Sequence, residues 1–164
     1  MKTNAYIETT IVSYLTAWPS RDIVIAGHQQ ITRQWWDLAD NRFDLVASQL
    51  VIDEVSAGNE EAARARLAAL AHVVLLDATD EALLLAQQLV QDGAIPEKAA
   101  EDATHIAIAV INGVEYLVTW NCRHIANAIM RPKIEKICLG AGYEPTIICT
   151  PEELMEPDYE NHDD

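Results

Sequence analysis

Short apolar runs alternate with longer segments of helical spacing along the whole chain. Residues 22–40 illustrate the helical pattern, with apolar residues at Ile25, Ile31, Trp35 and Leu38. The short runs predict strands over residues 4–7, 43–47, 73–76, 116–119 and 146–149. The longer segments predict helices over residues 9–17, 22–40, 48–58, 59–72, 79–92, 99–112 and 132–141.

Residues with strong preferences for helix ends support these bounds. Ser48 and Asn59 suit the N-cap position, whereas Gly58 and Gly93 follow the ends of two predicted helices. Pro132 falls in the first turn of the last predicted helix, where its missing N–H costs nothing. The bounds of the helices therefore rest on local chemistry as well as on spacing.

The alternation of strands and helices predicts an α/β fold with a mostly parallel sheet of about five strands. Val73 to Leu76 form a continuous apolar run, as expected for a strand of such a sheet. In sheets of this kind the ligand site lies beyond the carboxyl ends of the strands, at the point where the strand order reverses. The residues that directly follow each strand are therefore the first candidates for chemistry.

Length and composition fit a folded protein. The 164 residues suit one domain over residues 1–155, with an acidic and flexible C-terminal tail expected over residues 156–164. Half of the residues are apolar, so the chain should bury a core. No apolar run reaches the roughly 18 residues of a membrane span and no signal-type stretch follows Lys2, so we expect a cytoplasmic protein without a membrane partner. The three cysteines have no metal-ligand spacing and are expected to be reduced thiols.

The formal net charge of −15 bears on the class of function. Nucleic-acid binders usually present a basic face, so the charge alone favours other classes of protein. A site for divalent cations needs clustered carboxylates, however, and such a site also adds negative charge. The arrangement of the carboxylates must therefore decide between these interpretations.

Four side chains that can bind metal ions lie near the predicted strand ends. Glu8 directly follows the first strand, and Asn121 comes shortly after the fourth. Glu54 lies in the helix after the second strand, and Asp102 opens a strongly apolar helix. Each has a simpler explanation when taken singly: Glu8 could cap a helix, and Asp102 could interact with the helix dipole. Glu54 could be a solvated helix residue, and Asn121 could be a turn residue.

In this order and spacing, the residues resemble the PIN-domain family of small metal-dependent ribonucleases, and specifically VapC-type toxins. The family begins with a strand ending in Asp followed by Thr or Ser, and it has a Glu in a later helix. An Asp then leads an Ala-rich helix, and a final strand runs into Thr-x-Asn or Thr-x-Asp. The chain matches these motifs in order with Glu8-Thr9, Glu54, Asp102-Ala103 and Thr119-Trp120-Asn121. The resemblance covers residues 5 to about 150.

The chain departs from the family pattern at two places. Glu8 stands where Asp is usual, and Asn121 and His124 stand where many relatives supply one or two carboxylates. Glu, Asn and His can all ligate a divalent metal. The resemblance therefore implies a metal site with only three firm negative charges.

The resemblance implies a PIN-like three-layer α/β/α sandwich that acts as an endoribonuclease dependent on Mg²⁺ or Mn²⁺. It implies the toxin of a toxin–antitoxin pair, with structured RNA as substrate, a cognate antitoxin protein as partner, and a homodimeric assembly. The metal ligands would be Glu8, Glu54, Asp102 and Asn121. Thr9 and Thr119 would orient the carboxylates or the attacking water, and Arg123 and His124 would contact the substrate. Bound metal activates water and neutralises charge on the phosphate, so a carboxylate pocket can accept anionic RNA.

Other residues near the predicted site favour structural roles. His105 falls one helical turn after Asp102, and we interpret it as a core histidine with satisfied hydrogen bonds, although it could line the site. Trp35, Trp36 and Trp120 are better explained by packing or by a partner surface than by base stacking.

Two other interpretations remain open. A PIN fold without nuclease activity could serve as a protein-binding or RNA-binding module, which the departures at Glu8 and Asn121 favour. An α/β phosphatase or hydrolase could use Glu8 or Asp102 as nucleophile. The second fits less well, because aspartyl-phosphate chemistry normally uses Asp and the chain has neither a Gly-rich phosphate loop nor a Gly-x-Ser-x-Gly elbow.

Overall fold

The computed structural model describes residues 2–156, in which five strands alternate with seven α-helices. The strands are β1 (Thr3–Ile7), β2 (Phe43–Ser48), β3 (Val74–Leu76), β4 (Tyr116–Val118) and β5 (Ile147–Cys149). The α-helices are α1 (Thr9–Thr16), α2 (Ile23–Arg42), α3 (Gln49–Val55), α4 (Glu60–Ala69), α5 (Asp80–Gln91), α6 (Ala100–Ile111) and α7 (Arg131–Gly140). Short 3₁₀ turns cover Glu97–Ala99 and Glu152–Leu154. Of the predicted acidic tail, residues 157–164 lie outside the described residues.

The sheet is parallel throughout and has the strand order β3-β2-β1-β4-β5. In its register, Ala5 of β1 lies beside Leu45 of β2 on one side and beside Tyr116 of β4 on the other. The chain runs outward from β1 to β3 and then returns to the other side of β1. The strand order therefore reverses between β1 and β4, which is where a ligand site is expected in such a sheet.

The helices form two layers that enclose the sheet. Right-handed crossovers place α1 to α4 on one face, because both connections from β1 to β3 run in the same direction. The later crossovers run in the opposite direction and place α5, α6 and α7 on the other face. Helices within each group contact one another. This arrangement confirms the predicted three-layer α/β/α architecture.

The core is centred on β1 and α6. Ala5, Tyr6 and Ile7 of β1 are completely buried, because β1 is the middle strand and is covered on both faces. Seven of the twelve residues of α6 are buried, and all but His105 are apolar. Burying a large aliphatic side chain contributes about 1.5–3 kcal/mol, so this central pair of elements anchors the site that lies at its end.

The predicted helix caps at Ser48 and Asn59 are confirmed, since each side chain accepts a hydrogen bond from the main chain of its helix. Thr79 caps α5 in the same way. The strand β3 also forms where the apolar run predicts it, but it is not an interior strand. Val74 and Leu75 are 63% and 45% exposed, because β3 is the last strand of the sheet. No helix of the described residues has the length and apolar character needed to cross a membrane.

Candidate functional site

Two predicted site residues follow the adjacent strands β1 and β4 at the reversal point. Glu8 comes directly after β1, and Thr119 comes directly after β4. The main-chain N–H of Glu8 donates a hydrogen bond to the carbonyl of Val118 across 3.1 Å, so the two strand ends stay paired up to the site. The fold thus brings together two segments that are far apart in sequence.

Glu8 is a buried carboxylate that also caps α1. Its side chain is 3% exposed, and its Oε2 atom accepts hydrogen bonds from the main-chain N and from the hydroxyl of Thr10, both at 2.6 Å. Burial raises the pKa of the Glu8 carboxyl, and the nearby charge of Glu54 acts in the same direction. Glu8 therefore combines the simple capping role with an unusual electrostatic environment.

Glu54 lies near the end of α3 and faces α6 and the start of α1. Its Oε1 atom accepts hydrogen bonds from the Thr9 hydroxyl at 2.9 Å and from Nε2 of His105 at 2.5 Å. Burial acts to raise the pKa of Glu54, but its contacts with His105 and Thr9 outweigh this effect, so the pKa is lowered. The ionised form of Glu54 is therefore favoured, and its contact with Thr9 places it beside the residue that follows Glu8.

Thr10 joins the two strand ends through its hydroxyl. The main-chain N–H of Trp120 donates to Thr10 Oγ1 at 2.8 Å, and Thr10 Oγ1 donates to Glu8. The hydroxyls of Thr10 and Thr119 are 3.5 Å apart, and Thr119 Oγ1 accepts from the main-chain N of Asn121 at 2.9 Å. Thr119 therefore shapes the turn after β4.

Asp102 and Asn121 both contact His124. The Oδ2 atom of Asp102 lies 3.1 Å from Nδ1 of His124, and Oδ1 of Asn121 accepts from the main-chain N of His124 at 3.0 Å. Asp102 lies in the first turn of α6 but does not cap it, because Ala99 occupies the N-cap position. Asn121 thus has the turn-forming role that its residue type allows.

A cleft of about 460 Å³ opens beside Asp102. Its polar lining consists of Glu97, Lys98, Glu101, Asp102, Arg123 and His124. Arg123 is exposed and forms no ion pair with another residue in the range 2–156. The guanidinium is therefore available to an anionic ligand that enters this cleft.

The predicted metal ligands fall into two groups. The charge of Glu54 acts on the pKa of Glu8, while Asp102 and Asn121 both contact His124. Among the described residues, no set of three or more His, Cys, Asp and Glu side chains is already arranged to hold a metal ion. The four-residue ligand set therefore stays a prediction.

The chemistry of the donors nevertheless fits Mg²⁺ or Mn²⁺. The second oxygens of Glu8, Glu54 and Asp102 accept no hydrogen bond from residues 2–156. In residues 2–156, the buried side-chain N and O atoms without a hydrogen-bond partner are Trp35 Nε1 and Arg131 Nε. The unpartnered Oε1 atom of Glu8 is not among them, so it reaches the surface. Mg²⁺ usually takes one or two carboxylates and completes its shell with waters and phosphate oxygens. Glu8 and Glu54 would supply such a pair.

Several residues that build the site were not assigned to it from the sequence. Thr10 holds Glu8, and its position two residues after a candidate ligand is the signal that could have indicated this role. His105 is buried with satisfied hydrogen bonds, as interpreted, but one of these bonds is to Glu54. Tyr6 and Ser48 complete its surroundings, and no motif marks them.

Three tryptophans of the described residues, Trp35, Trp36 and Trp120, pack in or against the core, in agreement with their interpretation. Trp35 is completely buried. The Trp120 ring stacks on His28 with the ring centroids 4.0 Å apart, and its Nε1 donates to Thr32 Oγ1 at 2.7 Å. These contacts fix the start of the turn that carries Asn121 and His124.

The sequence matches no family model and has no significant match among curated proteins. The fold is similar to that of a chain in the crystal structure of VapBC2 from Rickettsia felis bound to a DNA fragment from their promoter. The TM-score is 0.57 at 16% sequence identity, over 90% of this chain and 98% of that chain. The likeness agrees with the predicted PIN-like α/β fold, and at this identity it concerns the fold alone.

Proposed function

We propose that this chain is the toxin of a VapBC-type toxin–antitoxin pair, and that it hydrolyses RNA internally with the help of Mg²⁺ or Mn²⁺. The structural likeness to a chain of the VapBC2 complex supports the toxin role, together with the ordered motifs of the sequence. The cation dependence follows from the type and position of the carboxylates.

The observation that carries the proposal is the carboxylate pair at the reversal point of the sheet. Glu8 is buried with a raised pKa, and the charge of Glu54 contributes to this shift. Two carboxylates that repel each other, one of them buried, are poorly stabilised by protein alone. A divalent cation held by both side chains would remove this cost.

The side chains divide the work as follows. Glu8 and Glu54 would hold the cation together with Asp102 and Asn121, with Thr10 holding the first carboxylate and Thr9 and His105 holding the second. The cation would supply water activation and neutralise the charge that builds on the phosphate.

The neighbouring cleft binds the RNA backbone. Arg123 contacts a phosphate there, and its charge offsets part of the acidic lining. His124 keeps Asp102 and the turn at Asn121 together, so that these groups face the same substrate.

Purified protein should bind Mn²⁺ in calorimetry and cleave structured RNA only when the metal is present. The matched control is the double variant Glu8→Gln and Glu54→Gln, in which both side chains keep their size but lose their charge. It should give neither heat nor cleavage. Expression of the parent without an antitoxin should slow bacterial growth, and the double variant should not. If the parent neither binds Mn²⁺ nor cleaves RNA, the nuclease proposal is wrong.

A second candidate is a PIN-like fold without nuclease activity that binds RNA or protein. The observation that favours it is that Glu54 and Asp102 are each already paired with a histidine, and that residues 2–156 contain no preformed metal-binding group of three. Fluorescence anisotropy with labelled RNA and no metal separates the two candidates. A binding module should bind RNA without Mn²⁺ and leave it intact.

The partners that we propose are an RNA substrate, a cognate antitoxin protein and a second copy of this chain, in the cytoplasm. The homodimer is supported by exposed apolar side chains in two segments, residues 25–39 and residues 67–89. Leu38 is 47% exposed in residues 25–39, and Leu83 and Leu84 are 51% and 65% exposed in residues 67–89. Light scattering should give a dimer, with its two clefts on one side, and Leu84→Glu should weaken it.

A further inference from the structure

A chain of buried hydrogen bonds leads from β2 to Glu54. The Ser48 hydroxyl lies 2.7 Å from the Tyr6 hydroxyl, which lies 2.8 Å from Nδ1 of His105. Nε2 of His105 then contacts Glu54 Oε1. Ser48, Tyr6 and His105 are each at most 1% exposed, so water does not compete for the two bonds that Tyr6 forms. The contact between His105 and Glu54 is partly buried. The chain joins β2, β1, α6 and α3 at the carboxyl end of the sheet.

One arrangement of the hydrogens gives every donor in this series of hydrogen bonds an acceptor. Ser48 Oγ accepts from the main-chain N of Val51 at 3.4 Å, and the Ser48 hydroxyl donates to the Tyr6 oxygen. The Tyr6 hydroxyl then donates to Nδ1 of His105, and Nε2 of His105 donates to Glu54. This arrangement requires the His105 tautomer with its proton on Nε2.

The chemistry of the groups at both ends agrees with this direction. The buried Tyr6 hydroxyl has one hydrogen, so it can accept from Ser48 while it donates to His105. A carboxylate can only accept, so the contact between His105 and Glu54 needs a hydrogen on Nε2. In this arrangement, every hydroxyl and ring nitrogen of the hydrogen-bond series has a partner.

We propose that Tyr6 and His105 are positioning residues for Glu54. Tyr6 sets the tautomer and the orientation of His105, and His105 together with Thr9 holds Oε1 of Glu54, which leaves Oε2 free to bind a divalent cation beside Glu8. The inference rests on the proposed function for its cation, but the order of the hydrogen bonds does not depend on it.

A purely structural role for His105 would not need this series of hydrogen bonds. The other buried residues of α6 are apolar, and an aliphatic side chain in place of His105 would extend the same packing. Replacing a buried polar group and its partners with apolar residues is often neutral or stabilising. Partners that orient a ligand, by contrast, commonly change metal affinity or activity by about 10–100-fold when they are removed.

The test uses Tyr6→Phe, which removes one hydroxyl and keeps the buried ring. The matched control is Tyr116→Phe, because the Tyr116 hydroxyl, in the neighbouring strand, forms no hydrogen bond with the described residues. Nitrogen NMR of metal-free protein labelled at histidine should show His105 as one tautomer with the proton on Nε2. Tyr6→Phe should mix the two tautomers, and Tyr116→Phe should not.

A second measurement connects this order to the site. Tyr6→Phe should weaken Mn²⁺ binding about tenfold and lower kcat with an unchanged KM for RNA. His105→Leu should lose more, while His105→Gln, which can still donate to Glu54, should recover part of the loss. An unprotonated Nε2 in the parent, or a Tyr6→Phe spectrum and Mn²⁺ affinity equal to those of the parent, would overturn the inference. If the parent shows the expected tautomer but binds no Mn²⁺, the role of Tyr6 and His105 towards the cation is wrong, and so is the nuclease proposal. The spectrum would still establish the order of the hydrogen bonds.

Discussion

The main-chain N–H of Trp120 donates a hydrogen bond to the Thr10 hydroxyl across 2.8 Å, although the two residues are 110 positions apart in sequence. The same hydroxyl donates to Glu8, so the segment after β4 is tied directly to the carboxylate after β1. Because a hydroxyl can donate one hydrogen and accept at the same time, Thr10 serves both strand ends with one oxygen atom. Position 10 therefore favours a side chain with a hydroxyl group.

The first prediction is that Thr10→Val destabilises the protein by about 2 kcal/mol, since it leaves a partly buried N–H and a buried carboxylate each short of a partner. Urea unfolding measures this change. The matched control is Thr16→Val at the other end of α1, where the hydroxyl bonds back to the Val12 carbonyl and to nothing else in residues 2–156. Equal losses in the two variants would contradict the linking role of Thr10.

The fold could be predicted from the sequence because its signals are local. Apolar periodicity and caps such as Ser48 and Asn59 lie within each element, and every predicted strand and helix is present with bounds shifted by at most three residues. The alternation of the elements then leaves few topologies that obey right-handed crossover. The exposure of Val74 was not predictable in this way, because it depends on where β3 falls in the strand order.

The site could be predicted only in part, because its connections span long stretches of sequence. Glu8 and Asp102 could be selected from their positions after a strand and at the start of a helix. The contact of His105 with Glu54 joins residues 51 positions apart, and that of Tyr6 with His105 joins residues 99 positions apart. Spacing along the chain carries no signal for such contacts.

The second prediction concerns Glu8 and pH. The pKa of Glu8 is raised by burial in the folded protein, so its ionised form costs stability at neutral pH, and this cost disappears as the pH falls through the raised pKa. In metal-free buffer at pH 7, Glu8→Gln should therefore have a higher Tm than the parent. The difference should shrink as the pH approaches the ordinary carboxyl value near 4.5.

Glu54→Gln is the control for this prediction, because its shift has the opposite sign. The pKa of Glu54 is lowered in the folded protein, so the ionised carboxylate stabilises the protein at neutral pH, and this contribution is lost as the pH falls through the lowered pKa. Glu54→Gln should therefore have a lower Tm than the parent at pH 7. If Glu8→Gln and Glu54→Gln shift the Tm in the same direction at pH 7, the electrostatic description of the pair is wrong.

The third prediction is that Asn121→Asp tightens Mn²⁺ binding while the fold is kept. A carboxylate oxygen can still accept the hydrogen bond from the main-chain N of His124, and the variant adds a charge on the side of Asp102. Asn59→Asp is a matched control, since Asn59 also accepts from a main-chain N three residues ahead, but it caps α4. Calorimetry should give a lower Kd for Asn121→Asp and no change for Asn59→Asp.

The last prediction is that Asp102→Asn keeps the fold and abolishes RNA hydrolysis. The side chain is nearly isosteric, and α6 does not depend on it for a cap, so the Tm should change little. The substitution removes one of the three firm negative charges of the proposed site, and losing the cation removes both water activation and charge neutralisation. The rate should therefore fall by several orders of magnitude.

Glu101→Gln tests whether this effect belongs to the site or to the local charge. Glu101 is exposed, lies beside Asp102 in the first turn of α6 and lines the same cleft, so its substitution changes the charge at the helix start by the same amount. It should retain most of the activity, because it contacts none of the other proposed ligands among the described residues. If purified Asp102→Asn cleaves RNA with Mn²⁺ as fast as Glu101→Gln does, Asp102 is not part of the reacting site. The second candidate, a fold that binds RNA or protein without cleaving RNA, then explains better why Asp102 at the start of α6 is paired with His124.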